Sequence, residues 1–418
     1  MLTELGYGKG VQTVDIPDEN LMAVLRANEL THERRGPEAV KYALAHPIGA
    51  GYLRDAVRPG EKIVIITSDI SRPIPSYDLL PAVLDELYLG GAEPGDITVV
   101  LALGSHRHHT EEERRRLVGE RCYEEVKVVD SDPDDCLRMG VTLRGTPVDI
   151  TRAVAEADFK IALGNVEFHY FAGYSGGAKA VMPGCSTPEA IQVNHKMMVM
   201  DEACAGRLED NPIRMDIEEA GAICGIDYIV NVVLDEHKKI VYAAAGDVTK
   251  AHRNACAYLD RMYRKPIPER ADIVLVSQGG APKDANLYQV QKALDNAKHA
   301  VKEGGTIILV GACNEGLGSA KFEEWLTAAP DAPSMIGRVK NHFELGGHKA
   351  AAIAMVLEKA QIILVSEMEP DFVRSIFLIP EKDAQSAFDK AMEKYGPKAS
   401  VIVMPYGGAT LPYVPDRG

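Results

Sequence analysis

Short apolar runs recur along this chain, and each ends in a polar or glycine-rich stretch. KIVIITSD (62–69), ITVVLALGSH (97–106) and FKIALGN (159–165) form a first set. ADIVLVSQGG (271–280), GTIILVGACN (305–314), AQIILVSEM (360–368) and ASVIVMPYGG (399–408) form a second. Runs that are apolar at every position, rather than at alternate ones, suit parallel strands covered on both faces, and segments with helical spacing separate them. The pattern predicts two doubly wound, mostly parallel α/β domains. Ligands of such sheets collect beyond the carboxyl ends of the strands, where nearly every chemically unusual residue of this chain falls. A site in the interdomain cleft is the expectation.

Local punctuation places the helices. Thr110 and Glu113 have the spacing of a capping box, Asp284 precedes NLYQVQKALDNAKHAV, and EKDAQSAFDKAMEKYGPK reads as a helix stopped by Gly396 and Pro397. Pro266 and Pro268 interrupt the chain just before a strand and mark a boundary near 265–271. The expected division is an N-terminal domain over 1–268 and a C-terminal domain over 269–398, with 399–418 returning to the first. No repeat of 20–50 residues and no low-complexity tract is present.

Composition narrows the class. A length of 418 residues exceeds one ordinary hydrophobic core, and 46 basic against 61 acidic residues give a net charge of −15. That charge argues against nucleic acid and anionic membrane surfaces as partners. Seven cysteines (122, 136, 185, 204, 224, 256 and 313) include no C-x-x-C pair and suit a reducing compartment. No run reaches the roughly 20 apolar residues of a membrane span, and the opening MLTELGYGKG has no apolar signal core, so a cytoplasmic location is expected.

Chemistry concentrates in HYFAGYSGGAKAVMPGCSTPEAIQVNH (169–195), where His169, Lys179 and His195 surround a glycine-rich loop. They reach one pocket if Ser175, Gly176 and Gly177 turn the backbone tightly. The spacing fails the phosphate-loop pattern, and Ala180 stands where that pattern needs a hydroxyl. Lys179 is then an anion holder, a covalent attachment point, or a surface lysine on a turn. His195 ends a segment opened by Thr187 and Pro188 and has no partner histidine at metal-binding spacing, so it is a lone ligand or a structural histidine.

GSHRHHT holds His106, His108 and His109 after an apolar strand. Adjacent residues point different ways, so one or two face a site, and His106, nearest the strand, is the candidate proton carrier. A solvated histidine-rich turn is the bland alternative. SDISRP places Asp69 and Arg72 at another strand end: Asp69 to orient a histidine or cap a turn, Arg72 to clamp a carboxylate. Tyr288, Gln289 and Lys292 open a later helix, either as pocket residues or as a solvated face. Together these loops point to a small anionic molecule undergoing proton and hydride transfer.

From YGKG through SDISRPIP, GSHRHHT, the 169–195 block, NLYQVQKAL and LGGHKA to GGATLP, the chain resembles the nickel-pincer-dependent lactate racemases and related 2-hydroxy-acid racemases and epimerases. The resemblance covers nearly the whole chain. It implies a pyridinium-3,5-bisthiocarboxylic acid mononucleotide, the nickel-pincer nucleotide, tethered at Lys179 with Ser175, Gly176 and Gly177 beside it. His195 is then the one protein ligand to nickel. It further implies racemisation through a 2-keto acid, His106 and His169 exchanging acid and base roles, Arg72 and Lys292 holding the carboxylate, Asp69 supporting a histidine, and Tyr288 and Gln289 lining the pocket. The implied partners are a small 2-hydroxy acid and the enzymes that make the cofactor.

Departures bear on the substrate. Ile70 stands where some members carry a further arginine, the loop is aromatic at Tyr170, Phe171 and Tyr174, and Trp325 is the one tryptophan. Two other readings remain at this stage. One is a non-catalytic binder of hydroxy acids or of the cofactor. The other is a nicotinamide-dependent 2-hydroxy-acid dehydrogenase, against which no G-x-G-x-x-G follows an apolar strand; GACNEGLGS (311–319) does not fit.

Overall fold

A computed structural model describes residues 1–72 and 74–415. The chain forms two compact units, one over Leu30–Arg261 and one combining Met1–Glu29 with Met262–Gly418.

The expected apolar runs are the strands. In the Leu30–Arg261 unit, six lie in the order Ile240–Gly246, Tyr228–Leu234, Phe159–Asn165, Ile63–Ser68, Ile97–Ala102 and Lys127–Asp130. All neighbours are parallel except the Tyr228–Leu234 and Ile240–Gly246 pair. Ile63, Ile65, Val99, Leu101, Ile161 and Leu163 are buried from their strands against Leu79, Val83, Leu84 and Leu87 of the helix Ser76–Leu89. The chain leaves Ile63–Ser68 toward one edge and returns to Phe159–Asn165 on its other side. The crevice at that reversal is where a doubly wound sheet binds ligands.

The other unit repeats the plan with six parallel strands, in the order Ile379–Glu381, Gln361–Val365, Val301–Val310, Ala271–Ser277, Val401–Met404 and Leu21–Val24. Its order reverses between Ala271–Ser277 and Val401–Met404. A hairpin of Leu2–Tyr7 and Gly10–Asp15 adds Leu5 and Val14 to a core that holds Ile273, Ile308, Val403 and Phe388. This hairpin was not foreseen.

Two expectations about domains are overturned. Residues 1–29 belong with the C-terminal half, because Leu21–Val24 pairs with Val401–Met404 in register Val401↔Leu21. Residues 399–415 do not return to the first domain. Val401–Met404, wholly buried, is a strand of the C-terminal sheet flanked on both sides, and Leu411–Tyr413 pairs with Arg264–Pro266. The break falls at 261/262, in the helix Val248–Tyr263, a few residues before the two prolines. All seven cysteines are free thiols. No helix among the described residues is long and apolar enough to cross a membrane.

Candidate active site

Asp69 follows the strand Ile63–Ser68 and is 3% exposed. Gly104, at φ +58, turns the chain after Ile97–Ala102, and its N–H donates to the carbonyl of Gly184 (2.9 Å), which ties the histidine loop to the lysine loop. His106 is presented there, and its Nδ1–H donates to Asp69 Oδ2 (2.7 Å) while Ser71 Oγ donates to Oδ1 (3.0 Å). Burial opposes the Asp69 charge, but the His106 and Ser71 bonds and the Arg72 cation outweigh it and hold the carboxyl below its usual range. A carboxylate only accepts, so His106 carries its proton on Nδ1 and its lone pair on Nε2.

The three histidines of GSHRHHT separate cleanly. His108 is exposed. His109 is buried, donates from Nδ1 to Asp130 Oδ1 (2.7 Å) and accepts the Ile70 N–H at Nε2 (3.1 Å), so it pins the loop that carries Asp69. Burial also opposes ionisation of Asp130, and bonds from His109 and Arg114 hold its carboxyl low nonetheless.

The loop after Phe159–Asn165 is a tight ladder in which Phe168 pairs with Tyr174 and His169 with Gly173. At Gly173, φ is +75 and a Cβ would stand 1.9 Å from the carbonyl of Arg207, so glycine is required. His169 Nδ1 accepts the Ala172 N–H (3.3 Å), which places its proton on Nε2. Its pKa lies well below the ordinary histidine range through burial, then through the charges of Lys179, Arg72, His195 and Arg214. Lys179, on the short turn Gly177–Ala180, is likewise far below the lysine range because of burial, then Arg214 and Arg72, with Glu167 opposing. A neutral amine is a nucleophile that can be acylated.

His195 closes the helix Pro188–His195, capped as expected by Thr187, whose Oγ1 accepts the Ala190 N–H (3.3 Å). One ring gathers the block: Phe171 lies 4.5 Å from the His169 ring, 4.9 Å from the His195 ring and 5.8 Å from Lys179 Nζ. All three residues lie around that one ring. The exposed Arg72 belongs with them electrostatically, since its charge acts on Asp69, His169 and Lys179.

The polar groups around Ser175, Gly176 and Gly177 engage the protein itself. Ser175 Oγ donates to the Asn165 carbonyl (2.6 Å) and accepts the Glu167 N–H (2.9 Å). Gly177 N–H donates to Asn231 Oδ1 (2.9 Å), and a Cβ on Gly176 would stand 2.8 Å from that same oxygen. Arg214, 0% exposed on the helix Pro212–Cys224, donates to the carbonyls of Ala172 (3.2 Å), Gly176 (3.5 Å) and Tyr174. Burial lowers its pKa to about 10. His252 Nε2–H donates to the Ser175 carbonyl (2.8 Å). Sequence reading missed Arg214, His252, Asn231 and His109. In its own helix, PIRMDIEEAG looks like any polar turn, and nothing local marks the residue as buried.

In the other unit, Tyr288 and Gln289 are half-buried and Lys292 is exposed on the helix Leu287–Ala297. Its cap is Asn286, not Asp284: Asn286 Oδ1 accepts the Gln289 N–H (3.1 Å), while Asp284 accepts the N–H groups of Gly8 (2.7 Å) and Ala312 (3.0 Å). Lys349, of LGGHKA, stands 3.8 Å over the Tyr288 ring and donates to the Tyr288 carbonyl (2.6 Å). Trp325 is core, its Nε1–H donating to Glu344 (2.9 Å) and Arg338 stacked 4.0 Å above it.

Residues 7–206 match the lactate racemase N-terminal domain and residues 267–411 the lactate racemase C-terminal domain. The chain is 32% identical to a lactate racemase of Thermoanaerobacterium thermosaccharolyticum, over 98% of each chain. It is 33% identical to a lactate racemase of Lactiplantibacillus plantarum, over 97% of this chain and 98% of that one. The solved lactate racemase apoprotein from T. thermosaccharolyticum superposes with a TM-score of 0.89 at 32% identity, covering 99% of this chain and 100% of that one. A Thermotoga maritima protein shares the fold at a TM-score of 0.61 and 18% identity, over 91% of this chain and 98% of that one.

Proposed function

Because the chain belongs to the lactate racemase family and is an isomerase of that family, we propose that it inverts carbon 2 of a 2-hydroxy acid, lactate in the first instance, through a 2-keto acid. The nickel-pincer nucleotide, when bound, supplies the acceptor and donor of the hydride. Lys179 is its tether and His195 its protein ligand. Their chemistry fits that group: burial shifts the lysine toward its neutral, nucleophilic form, and with Nδ1 engaged by Asn194 Oδ1 (2.8 Å) the lone pair of the neutral His195 ring is on Nε2. Among the described residues no three of His, Cys, Asp and Glu converge as a metal site, so a metal here needs donors beyond the side chains.

The observation that carries the reading is the pair of opposite tautomers. His106, backed by Asp69, offers a lone pair at Nε2, and His169, backed by the Ala172 N–H, offers a proton there. A reaction that takes a hydroxyl proton and returns one to the inverted alcohol needs one histidine as the free base and the other entering as the imidazolium, because a neutral ring that gave up its one proton would be left an imidazolate; the opposite enantiomer reverses the roles. Arg72 receives the substrate carboxylate as a planar fork, and its charge falls away from His169 as that anion binds. Ser175, Gly176 and Gly177 shape the loop that presents Lys179.

Protein co-produced with the cofactor-making enzymes tests this. We expect an intact-mass adduct and bound nickel, both lost in Lys179→Ala, and loss of optical rotation with either lactate enantiomer. Active protein with neither adduct nor nickel overturns the reading.

A further inference from the structure

Behind His195 runs a buried polar chain of which the chemistry above uses only Asn194 Oδ1. Asn194 and Asp216 are both 0% exposed. Asp216, on the helix Pro212–Cys224, accepts Thr142 Oγ1 at Oδ1 (2.5 Å) and both Thr146 Oγ1 and Asn194 Nδ2 at Oδ2 (2.7 Å each). Asn194 Nδ2 also donates to the Ile213 carbonyl (3.4 Å), and Asn194 Oδ1 accepts from His195 Nδ1.

The polarity of this chain is fixed from its far end. A carboxylate has no proton to give, so the Asn194 amide must turn its nitrogen to Asp216 and its oxygen to His195. An amide oxygen accepts only, so His195 Nδ1 must carry the proton and the lone pair falls on Nε2. Were Asn194 flipped, its N–H would meet Nδ1, the lone pair would sit there, and Nε2 would bear hydrogen and bind no metal. We propose that Asp216 and Asn194 are positioning residues that hold His195 in its metal-ligating tautomer, with Thr142 and Thr146 fixing the carboxylate. This rests on the reading of His195 as the nickel ligand. Partners of a ligating histidine's second nitrogen raise its basicity and fix its ring.

Two readouts separate this proposal from that reading. Nitrogen NMR of ¹⁵N-histidine-labelled apoprotein reports the tautomer without any metal. In the native chain His195 is expected with Nδ1 protonated and Nε2 unprotonated. Asp216→Asn, nearly isosteric, leaves Asn194 free to flip, and a mixture of tautomers is expected. In cofactor-loaded protein, release of nickel to a chelator is expected to quicken about 10- to 100-fold in Asp216→Asn and Asn194→Leu. The double exchange Asn194→Asp with Asp216→Asn restores an acceptor toward His195 and a donor behind it, and is expected to recover native release. Thr146→Val, which deletes one hydroxyl, tests the relay even where the larger changes prevent folding, with about threefold faster release expected. Folded variants that keep the native tautomer and release nickel within twofold of the native rate overturn the proposal. Loaded native protein without nickel instead overturns the functional reading, and the tautomer measurement still decides the relay.

Discussion

The two units share one plan and use it differently. Each is a six-stranded sheet whose strand order reverses beside a central strand, so each has the crevice at which such folds bind ligands. In the C-terminal unit the loops at that crevice pack closely on one another. A Cβ on Gly279 would stand 2.7 Å from the Tyr406 ring, one on Gly408 2.3 Å from the Gln278 side chain, and one on Gly6 of the hairpin 2.4 Å from the Gly279 backbone. In the Leu30–Arg261 unit the same position holds Asp69, Arg72, His169 and Lys179, with pKa values displaced for Asp69, His169 and Lys179. Topology supplies a crevice twice, and the titratable side chains gather at the strand ends of only one of them among the described residues.

The largest expected effect removes a proton carrier. His106→Ala and His169→Ala should each lower racemisation about 100-fold or more, followed by polarimetry from both enantiomers. Asp69→Asn should fall nearly as far while Lys179 keeps its mass adduct, because it frees the His106 tautomer without touching the tether. Activity surviving either histidine change would break the contrast between a working and a closely packed crevice.

Arg214→Met tests what holds the lysine loop. It strands three carbonyls that now share one buried cation, and a loss of about 3 kcal/mol is expected in chemical denaturation. It also removes the leading charge that depresses Lys179, so the pH at which that amine reacts with an acylating reagent should rise.

A matched pair of glycine changes sharpens the comparison. Gly173→Ala, at φ +75, and Gly279→Ala, at φ +99, should each cost about 1–3 kcal/mol in backbone strain. The first alone should also reduce the Lys179 adduct, because only that glycine shapes the lysine loop. Equal losses of adduct would show that the C-terminal crevice is not idle.

A further effect is expected in acid. Burial, then Lys298, Arg270 and Lys359, push His299 of the C-terminal unit down to about 3. His169 and His252 of the other unit are lowered in the same direction. Below about pH 6.5 the unfolded chain takes up protons that the folded chain excludes, so stability falls as pH drops from there toward 3. His299→Leu should remove about one proton, or about 1.4 kcal/mol per pH unit, from the acid slope of the unfolding free energy.

Much of this was legible because it is local. Thr110 and Thr187 cap the helices they precede, and the seven apolar runs are strands, because period and capping act within a few residues. Asp284 misled for the opposite reason: Asn286, two residues on, is the cap, while Asp284 binds backbone at Gly8 and Ala312, far away in sequence. His106 was separable from its neighbours by distance from the strand. The role of His109 was not, because Asp130 and the Ile70 N–H reach it only through the fold.

By itself the sequence determined two parallel sheets, the loops at their strand ends, and the residues in those loops with chemistry to offer, since hydrophobic period, caps and turn residues are properties of neighbouring positions. Only the tertiary structure decided that Leu21–Val24 and Val401–Met404 complete one sheet and that Phe171 gathers His169, Lys179 and His195. It also decided which nitrogen of His106 and of His195 bears the proton. Those outcomes depend on groups tens to hundreds of residues apart, such as Asp69 with His106 and Asn194 with Asp216, whose hydrogen-bond polarity exists only once the chain has brought them together.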